Sequence, residues 1–357
     1  ERIRHIPRIL YHWRAIEGST ATGLAAKPYA AKAGDRAASD HLMRTGTGAR
    51  VWSDRHGRRV IYHLPVKPPR VTAIIPTRDR VELLRQTVEG LLLRTDYPNI
   101  EVIIVDNGST ASETERYLSD LSADPRVAVL NHPGPFNFSA MMNRAAAMRS
   151  VGEARPDTGQ DILLFLNNDV EPVQDRTWLR ELVSQAVRPD VGAVGAMLLY
   201  PNRTIQHAGV VLAGDWVARH VESGDEDSEP GYLSRRRITQ TISAVTGACL
   251  AIRREVFDAV GGFDEESLAV DYSDIDLCLK AGAAGYRTVF APLAKLMHHE
   301  SATRGPFMSP EKLPLWEAES AVMRKRWGDL LYNDPYYNPN LAIGPKARAF
   351  TPKLGDD

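Results

Sequence analysis

Cysteine is scarce: the 357-residue chain has two, Cys249 and Cys278, in no CxxC pair. That excludes a disulfide scaffold and a cysteine-based zinc site, and it fits a reducing compartment. Apolar runs are short, such as Ile162–Leu166, and none approaches the roughly 18 residues that a membrane span needs. An excess of one charge is also lacking. Lys+Arg number 44 and Asp+Glu 45, a net of −1, so the surface as a whole is not built for nucleic acid. No internal repeat and no signal peptide are visible. The opening Glu1-Arg2-Ile3-Arg4 lacks a Met, which predicts a piece of a longer protein. What is present is ordinary for a folded chain, with 43% hydrophobic and 25% charged residues. The length allows two or three domains, or one large α/β domain with appendages.

Charge is unevenly spread. Residues 1–70 carry 14 basic and 5 acidic side chains, a net of +9, and residues 71–357 a net of −10. With the stiff Lys67-Pro68-Pro69-Arg70, this places a boundary near residue 70. The basic segment is either the solvated edge of an upstream domain or a surface for anionic lipid. Residues 18–50 show little period. From Val71 onward short apolar runs alternate with helical spacing: Val71–Ile75, a helix over Val81–Leu93, Glu101–Val105, a helix over Ser112–Leu121, Val127–Leu130, a helix over Ser139–Met148 capped by Ser139, and Ile162–Leu166. That alternation predicts a mainly parallel sheet covered on both faces. Ligands gather at the carboxyl ends of such strands, where Thr77-Arg78-Asp79, Asp106-Asn107 and Asn167-Asn168-Asp169 lie. Further on, Val191–Leu199 reads as a strand pair or a strand and turn. Ser243–Ile252 is apolar with small residues that admit close approach to the backbone. Arg254–Val260, Ile275–Ala284 and Glu311–Trp327 read as helices.

Several residues have two readings. Asp169 follows a buried strand, with Glu171 two positions on. It is either turn chemistry or an oxygen ligand for a hard cation. Asp274, in Asp271-Tyr272-Ser273-Asp274-Ile275-Asp276, is either a helix cap, shared with Ser273, or a general base. His298-His299 is structural or a metal ligand. Arg304 beside Gly305 is a surface residue or a phosphate partner. The aromatics Trp316, Trp327, Tyr332, Tyr336 and Tyr337 either pack on the core or meet acceptor sugar or a membrane interface.

Five ordered motifs resemble those of the family 2 glycosyltransferases of GT-A fold. They are Ile74-Ile75-Pro76-Thr77-Arg78-Asp79-Arg80, Val105-Asp106-Asn107-Gly108-Ser109, Leu166-Asn167-Asn168-Asp169, Gly261-Gly262-Phe263-Asp264-Glu265 and Ser273-Asp274-Ile275-Asp276-Leu277-Cys278-Leu279. His298-His299-Glu300-Ser301 with Arg304-Gly305 resembles the late motif of the rhamnosyltransferase-like, polysaccharide-building branch. Pro133–Ser139, Gln206-His207-Ala208-Gly209 and Ala244–Cys249 look like the same branch. The match covers roughly residues 70–305 and implies an α/β GT-A domain there. Residues 1–69 would be the remnant of an upstream transferase module plus linker, and 306–357 a helical, aromatic tail.

The resemblance implies roles position by position. Pro76, Thr77, Arg78, Asp79, Asp106 and Asn107 would hold the nucleoside, Asp106 accepting from the base. Asn137 and Asn143 would line the nucleotide side of the pocket, with Asn168 beside them and Arg304 at the diphosphate. Asp169 and His298 would bind Mg²⁺ or Mn²⁺, with Glu171 compensating for Asn167 and Asn168, which replace acids that many relatives carry. Gly247, Ala248, His207 and Asp271 would shape the donor-sugar and acceptor pocket. Asp274 would deprotonate the acceptor hydroxyl. The implied activity is inverting transfer from a dTDP-, UDP- or GDP-linked sugar, rhamnose among the candidates, to a glycan or lipid-linked glycan. The implied location is cytoplasmic, peripheral at the inner face of the cytoplasmic membrane. The competing expectation is a non-catalytic sugar-nucleotide-binding module, which would not need Asp274. A nucleotidyltransferase or a dehydrogenase is disfavoured, because the loop after the first strand, Pro76-Thr77-Arg78-Asp79-Arg80, has no glycine.

Overall fold

The computed structural model describes residues 6–8, 10–17, 29–54, 57–148, 151, 161–173, 175–299, 310–343 and 349–353. A helix α1 (Tyr29–Arg44) and a hairpin of β1 (Ala49–Asp54) and β2 (Gly57–Tyr62) come first. The predicted alternation follows: β3 (Val71–Thr77), α2 (Val81–Leu93), β4 (Ile100–Asp106), α3 (Ser112–Leu121), β5 (Val127–Asn131), α4 (Phe138–Ala146), β6 (Ile162–Leu166), β7 (Val170–Pro172) and α5 (Trp178–Ala186). The second half adds β8 (Val191–Leu199), β9 (Ile205–His207), β10 (Val210–Leu212), β11 (Ala218–His220), β12 (Gln240–Ile242), β13 (Cys249–Arg253), α6 (Arg254–Ala259), α7 (Ser273–Ala283), β14 (Arg287–His298) and α8 (Leu313–Trp327).

Ten strands form one sheet in the order β12-β14-β8-β13-β6-β3-β4-β5, with β7 on β14 and β9 on β8. β3, β4, β5 and β6 run parallel. β13 is antiparallel to both β6 and β8, so β8 and its parallel neighbour β14 point the same way as β6. The carboxyl ends of β3, β4, β5, β6, β8 and β14 therefore share one edge. The two-residue period of each strand divides the core between the faces. Ile74, Ile103 and Phe165 pack on one side, and Ile75, Ile104 and Leu164 on the other. β6 and β8 are buried along their whole length, which is why they read as continuous apolar runs. Gly195 in β8 leaves space its neighbour uses: a Cβ there would lie 2.4 Å from Val245 Cβ.

Several local expectations are corrected. Within residues 18–50, read as showing little period, α1 and the start of β1 are found, and the hairpin runs on to Tyr62. The hairpin docks on α5 through Arg59 and Glu181, 2.5 Å apart, and Arg188 lies over the Tyr62 ring, 4.3 Å from its centroid. Those partners are more than a hundred residues away, so no local period reports them. α4 is capped by Asn137, whose side chain accepts from Ala140 N, and not by Ser139, which is fully buried inside the helix and donates to Leu268 O. Val191–Leu199 is one strand, not a pair. β14 is one strand of twelve residues that ends at His298. Among the described residues no helix is long and apolar enough to cross a membrane.

Candidate active site

The first loops at the carboxyl edge hold themselves in place with their own backbone. Asp79 accepts from Thr110 N and Ala111 N, both at 2.9 Å, and so caps the start of α3 from another loop. Asp106 accepts from Ser109 N at 3.0 Å and Ser109 Oγ at 2.5 Å. Asn107 donates to His132 O and Gly134 O. Asp106, Ser109, Glu115, Asn131 and Pro133 line a cavity of about 610 Å³. Pro76 and Thr77 end β3, and Arg78 is exposed beside them. Asn168 reaches back from the end of β6 to donate to Thr77 Oγ1 at 3.0 Å, which ties this group to the next.

A second cavity, of about 630 Å³, is lined by Asn167, Gln206, His220, Gly247, Ala248, Asp271, Asp274 and His298, with Trp216, Tyr272 and Trp316. Asp274 and His298 thus face one space although they come from α7 and from the end of β14. Two backbone amides orient the Asp274 carboxylate: Gly247 N donates to Oδ2 at 2.7 Å and Ile275 N to Oδ1 at 2.8 Å. It satisfies one amide at the start of α7, but its other oxygen crosses to the segment before β13. The N-cap position is Tyr272, in the left-handed region at φ 59°, without a side-chain cap. Capping by Ser273 is not found.

Asp169 lies just before β7. The antiparallel pairing of β7 with β14 sets His298 opposite Val170, and this brings His298 Nε2 to 3.1 Å from Asp169 Oδ1. Both residues are buried. That carboxylate oxygen has no hydrogen-bond partner among the described residues. The other ring nitrogen, Nδ1, lies 2.7 Å from Gln206 Oε1. A neutral ring that donates there keeps its lone pair on Nε2, facing the carboxylate. The Asn167 amide nitrogen also lies near that Nε2, at 3.4 Å. Among the described residues no group of three or more His, Cys, Asp or Glu could hold a metal ion. A cation held by Asp169 and His298 would need further ligands from outside the protein.

Not every expected residue joins this cluster. Glu171 is engaged elsewhere: its carboxylate meets Arg94 at 3.2 Å and His299 Nε2 at 3.2 Å. It does not compensate for Asn167 or Asn168. His299 is thereby separated from His298. His207 does not line the cavity. It is fully buried, its ring edge-on to His220 at 4.8 Å and to Phe290 at 6.1 Å, and burial holds its pKa well below the ordinary imidazole value. Asn143 clamps the Gly261–Glu265 loop, donating to Phe263 O and accepting from Phe263 N, and Asn137 donates to Glu265 O beside its capping bond. Both make backbone bonds, and neither lines the cavity beside Asp106. Arg304 lies outside the described residues.

Three participants escaped the sequence reading. Gln206 sits next to the chosen His207; both are buried, but strand alternation sets them on opposite faces of β9, and Gln206 is the one that lines the cavity. Glu319, on α8, is 2% exposed and accepts from Val270 N at 3.1 Å and Asp271 N at 2.5 Å, steadying the approach to Asp274. Burial raises its pKa. Trp216 carries no local signal at all.

The Glycosyl transferase family 2 model matches residues 72–261. An uncharacterized protein, y4gI, of Sinorhizobium fredii is 46% identical over 96% of this chain and 37% of its own length. The O-antigen biosynthesis protein RfbC of Myxococcus xanthus is 43% identical over 96% of this chain and 26% of its own. The chain thus spans about a third or less of these curated relatives. An N-acetylglucosaminyl-diphospho-decaprenol L-rhamnosyltransferase of Mycobacterium tuberculosis is 26% identical over 62% of this chain and 73% of its own length. In fold, the chain is similar to GalNAc-T7, solved with UDP, GalNAc and Mn²⁺: the TM-score is 0.57 at 14% identity, over 76% of this chain and 51% of that one. The α/β architecture is GT-A.

Proposed function

The chain belongs to glycosyl transferase family 2, and from that membership we propose that it moves a sugar, with inversion, from a nucleoside diphosphate to a hydroxyl of a growing cell-surface glycan, at the cytoplasmic side of the membrane. The observation that carries this reading is the shared cavity: Asp274, fixed by the Gly247 amide, opens onto the same space as His298 and Asn167. The loops around Asp106 would take the nucleoside, as their separate cavity supports. The names of the M. xanthus and M. tuberculosis relatives favour O-antigen-like glycans and rhamnose as donor sugar.

In the mechanism, Asp274 accepts the proton of the acceptor hydroxyl as that oxygen bonds to the anomeric carbon. The bond from that carbon to the diphosphate breaks, and the nucleoside diphosphate leaves with the electron pair. Asp169 and His298 would hold a divalent cation, which when bound offsets the negative charge that grows on the leaving group. Gln206 keeps the His298 ring oriented, and Gly247 keeps the carboxylate aimed. Replacing Asp274 by Asn keeps the side chain's shape and one of its two backbone bonds, since the amide nitrogen cannot accept from the second N–H, and it removes the base. Transfer should fall by roughly 10²–10⁴-fold, while UDP, dTDP or GDP binds by calorimetry as before. Near-normal turnover in Asp274→Asn would refute the base. A chain that binds nucleotide but never turns over would instead be a binding module.

A further inference from the structure

One wall of the catalytic cavity is aromatic, and its rings are held from outside the catalytic motifs. Trp216, Tyr272 and Trp316 all line the space that Asp274 faces. Trp216 is 46% exposed. It ends the 3-10 turn Gly214–Trp216, and the next residue, Val217, is fully buried with φ 62° and ψ −63°. A β-branched residue avoids that region. It is kept there by Val217 N donating to Gly214 O and Ala213 N donating to Val217 O. The turn is tethered as well. Asp215 accepts from Arg324 through its backbone oxygen and from the Tyr332 hydroxyl through its carboxylate. Across the wall, the Trp316 ring lies 6.5 Å from that of Tyr272, whose hydroxyl is 3.1 Å from Ser320 Oγ and whose backbone is left-handed. A β-branched residue held at positive φ beside an exposed indole, with a second left-handed residue across the cavity, is a mark of function more than of packing.

We propose that Trp216, Tyr272 and Trp316 form a stacking platform for a pyranose ring of the acceptor, which presents its hydroxyl to Asp274. The inference rests on the reading of Asp274 as base. A pyranose has an apolar C–H face and a hydroxyl rim. Its face gains contact area on a rigid aromatic ring, and its rim needs polar partners. The cavity interleaves its rings with Asp271, Arg219 and Ser223, which suits a sugar and not a polyprenyl tail. The acceptor is the sugar concerned, because Tyr272 precedes the base by two residues, whereas Asn167 and His298 come from the strand ends where the diphosphate would lie.

Saturation-transfer NMR on the full chain tests this with methyl α-L-rhamnopyranoside and methyl β-D-glucopyranoside as probes, alongside calorimetry with UDP, dTDP and GDP. Saturation should reach ring C–H protons of at least one glycoside. Trp216→Ala and Trp316→Ala should each weaken its binding fivefold or more, Trp216→Phe should restore most of it, and nucleotide affinity should stay within twofold. Retained sugar binding in both alanine variants, or no saturation transfer to either probe in the unmodified chain, would overturn the platform. Asp274→Asn separates the two readings. If it keeps turnover, the base fails. If it binds glycoside as the unmodified chain does, the platform stands on its own measurement.

Discussion

The two halves of the carboxyl edge are secured in different ways. Around β3 and β4, the polar side chains bond to nearby backbone: Asp106 to Ser109, and Asp79 to the start of α3. Around β13, β14 and α7, support comes from far along the chain. Asp276, fully buried one turn into α7, accepts from Arg326 at 2.9 Å and from the Trp327 indole at 3.0 Å. Arg326 also pairs with Asp264 at 2.5 Å, and Glu319 holds residues 270 and 271. The half around β3 and β4 is therefore held by its own loops, and the half carrying Asp274 leans on α8.

Variants can break this contrast. The largest stability effect should come from Arg326→Ala, which leaves the buried Asp276 carboxylate with the Trp327 indole and with Lys280, 3.4 Å away. A loss of about 2 kcal/mol, below the range for a fully buried pair because Arg326 is partly exposed, should appear in denaturant melts, together with a lower kcat at unchanged nucleotide affinity. Gln206→Leu should weaken Mn²⁺ binding, read by electron paramagnetic resonance, by about 10- to 100-fold. Asp79→Ala, in the self-supporting half, should cost roughly 1–2 kcal/mol through two lost backbone partners. It should raise the donor KM and leave kcat alone. An equal fall in kcat for Asp79→Ala and Arg326→Ala would erase the distinction.

The smallest effect is on pH dependence. His207 has its pKa depressed by burial, so below an ordinary value near 6.5 the unfolded chain takes up a proton that the folded chain refuses. Stability should therefore fall as pH drops from 6.5 toward the folded-state pKa, with a slope of up to about 1.4 kcal/mol per pH unit from this group. His207→Phe should flatten that limb in melts between pH 5 and 7, and an unchanged slope would assign it elsewhere.

The same contrast explains what was legible in advance. The strands and helices from Val71 to Leu166 show in the sequence because each has its own period and each loop its own turn chemistry. Asp169, Asp274 and His298 could be picked out because they terminate or begin such elements. Their assembly could not, since β7 meets β14 and β13 enters antiparallel only through pairings between distant residues. His207 was chosen over Gln206 for its chemistry, and strand facing decided otherwise. Glu171 is instead drawn off by Arg94 and His299, partners that no local pattern reports. The hairpin at 49–62 was missed because its stability is borrowed from α5.

The bracing of α7 by α8 bears on descent. The acid that would take the proton and the helix that steadies it are some forty residues apart, both beyond the stretch that the family model matches. A recombination breakpoint between Asp276 and Arg326 would part a buried carboxylate from its cation, so the two form one unit of inheritance.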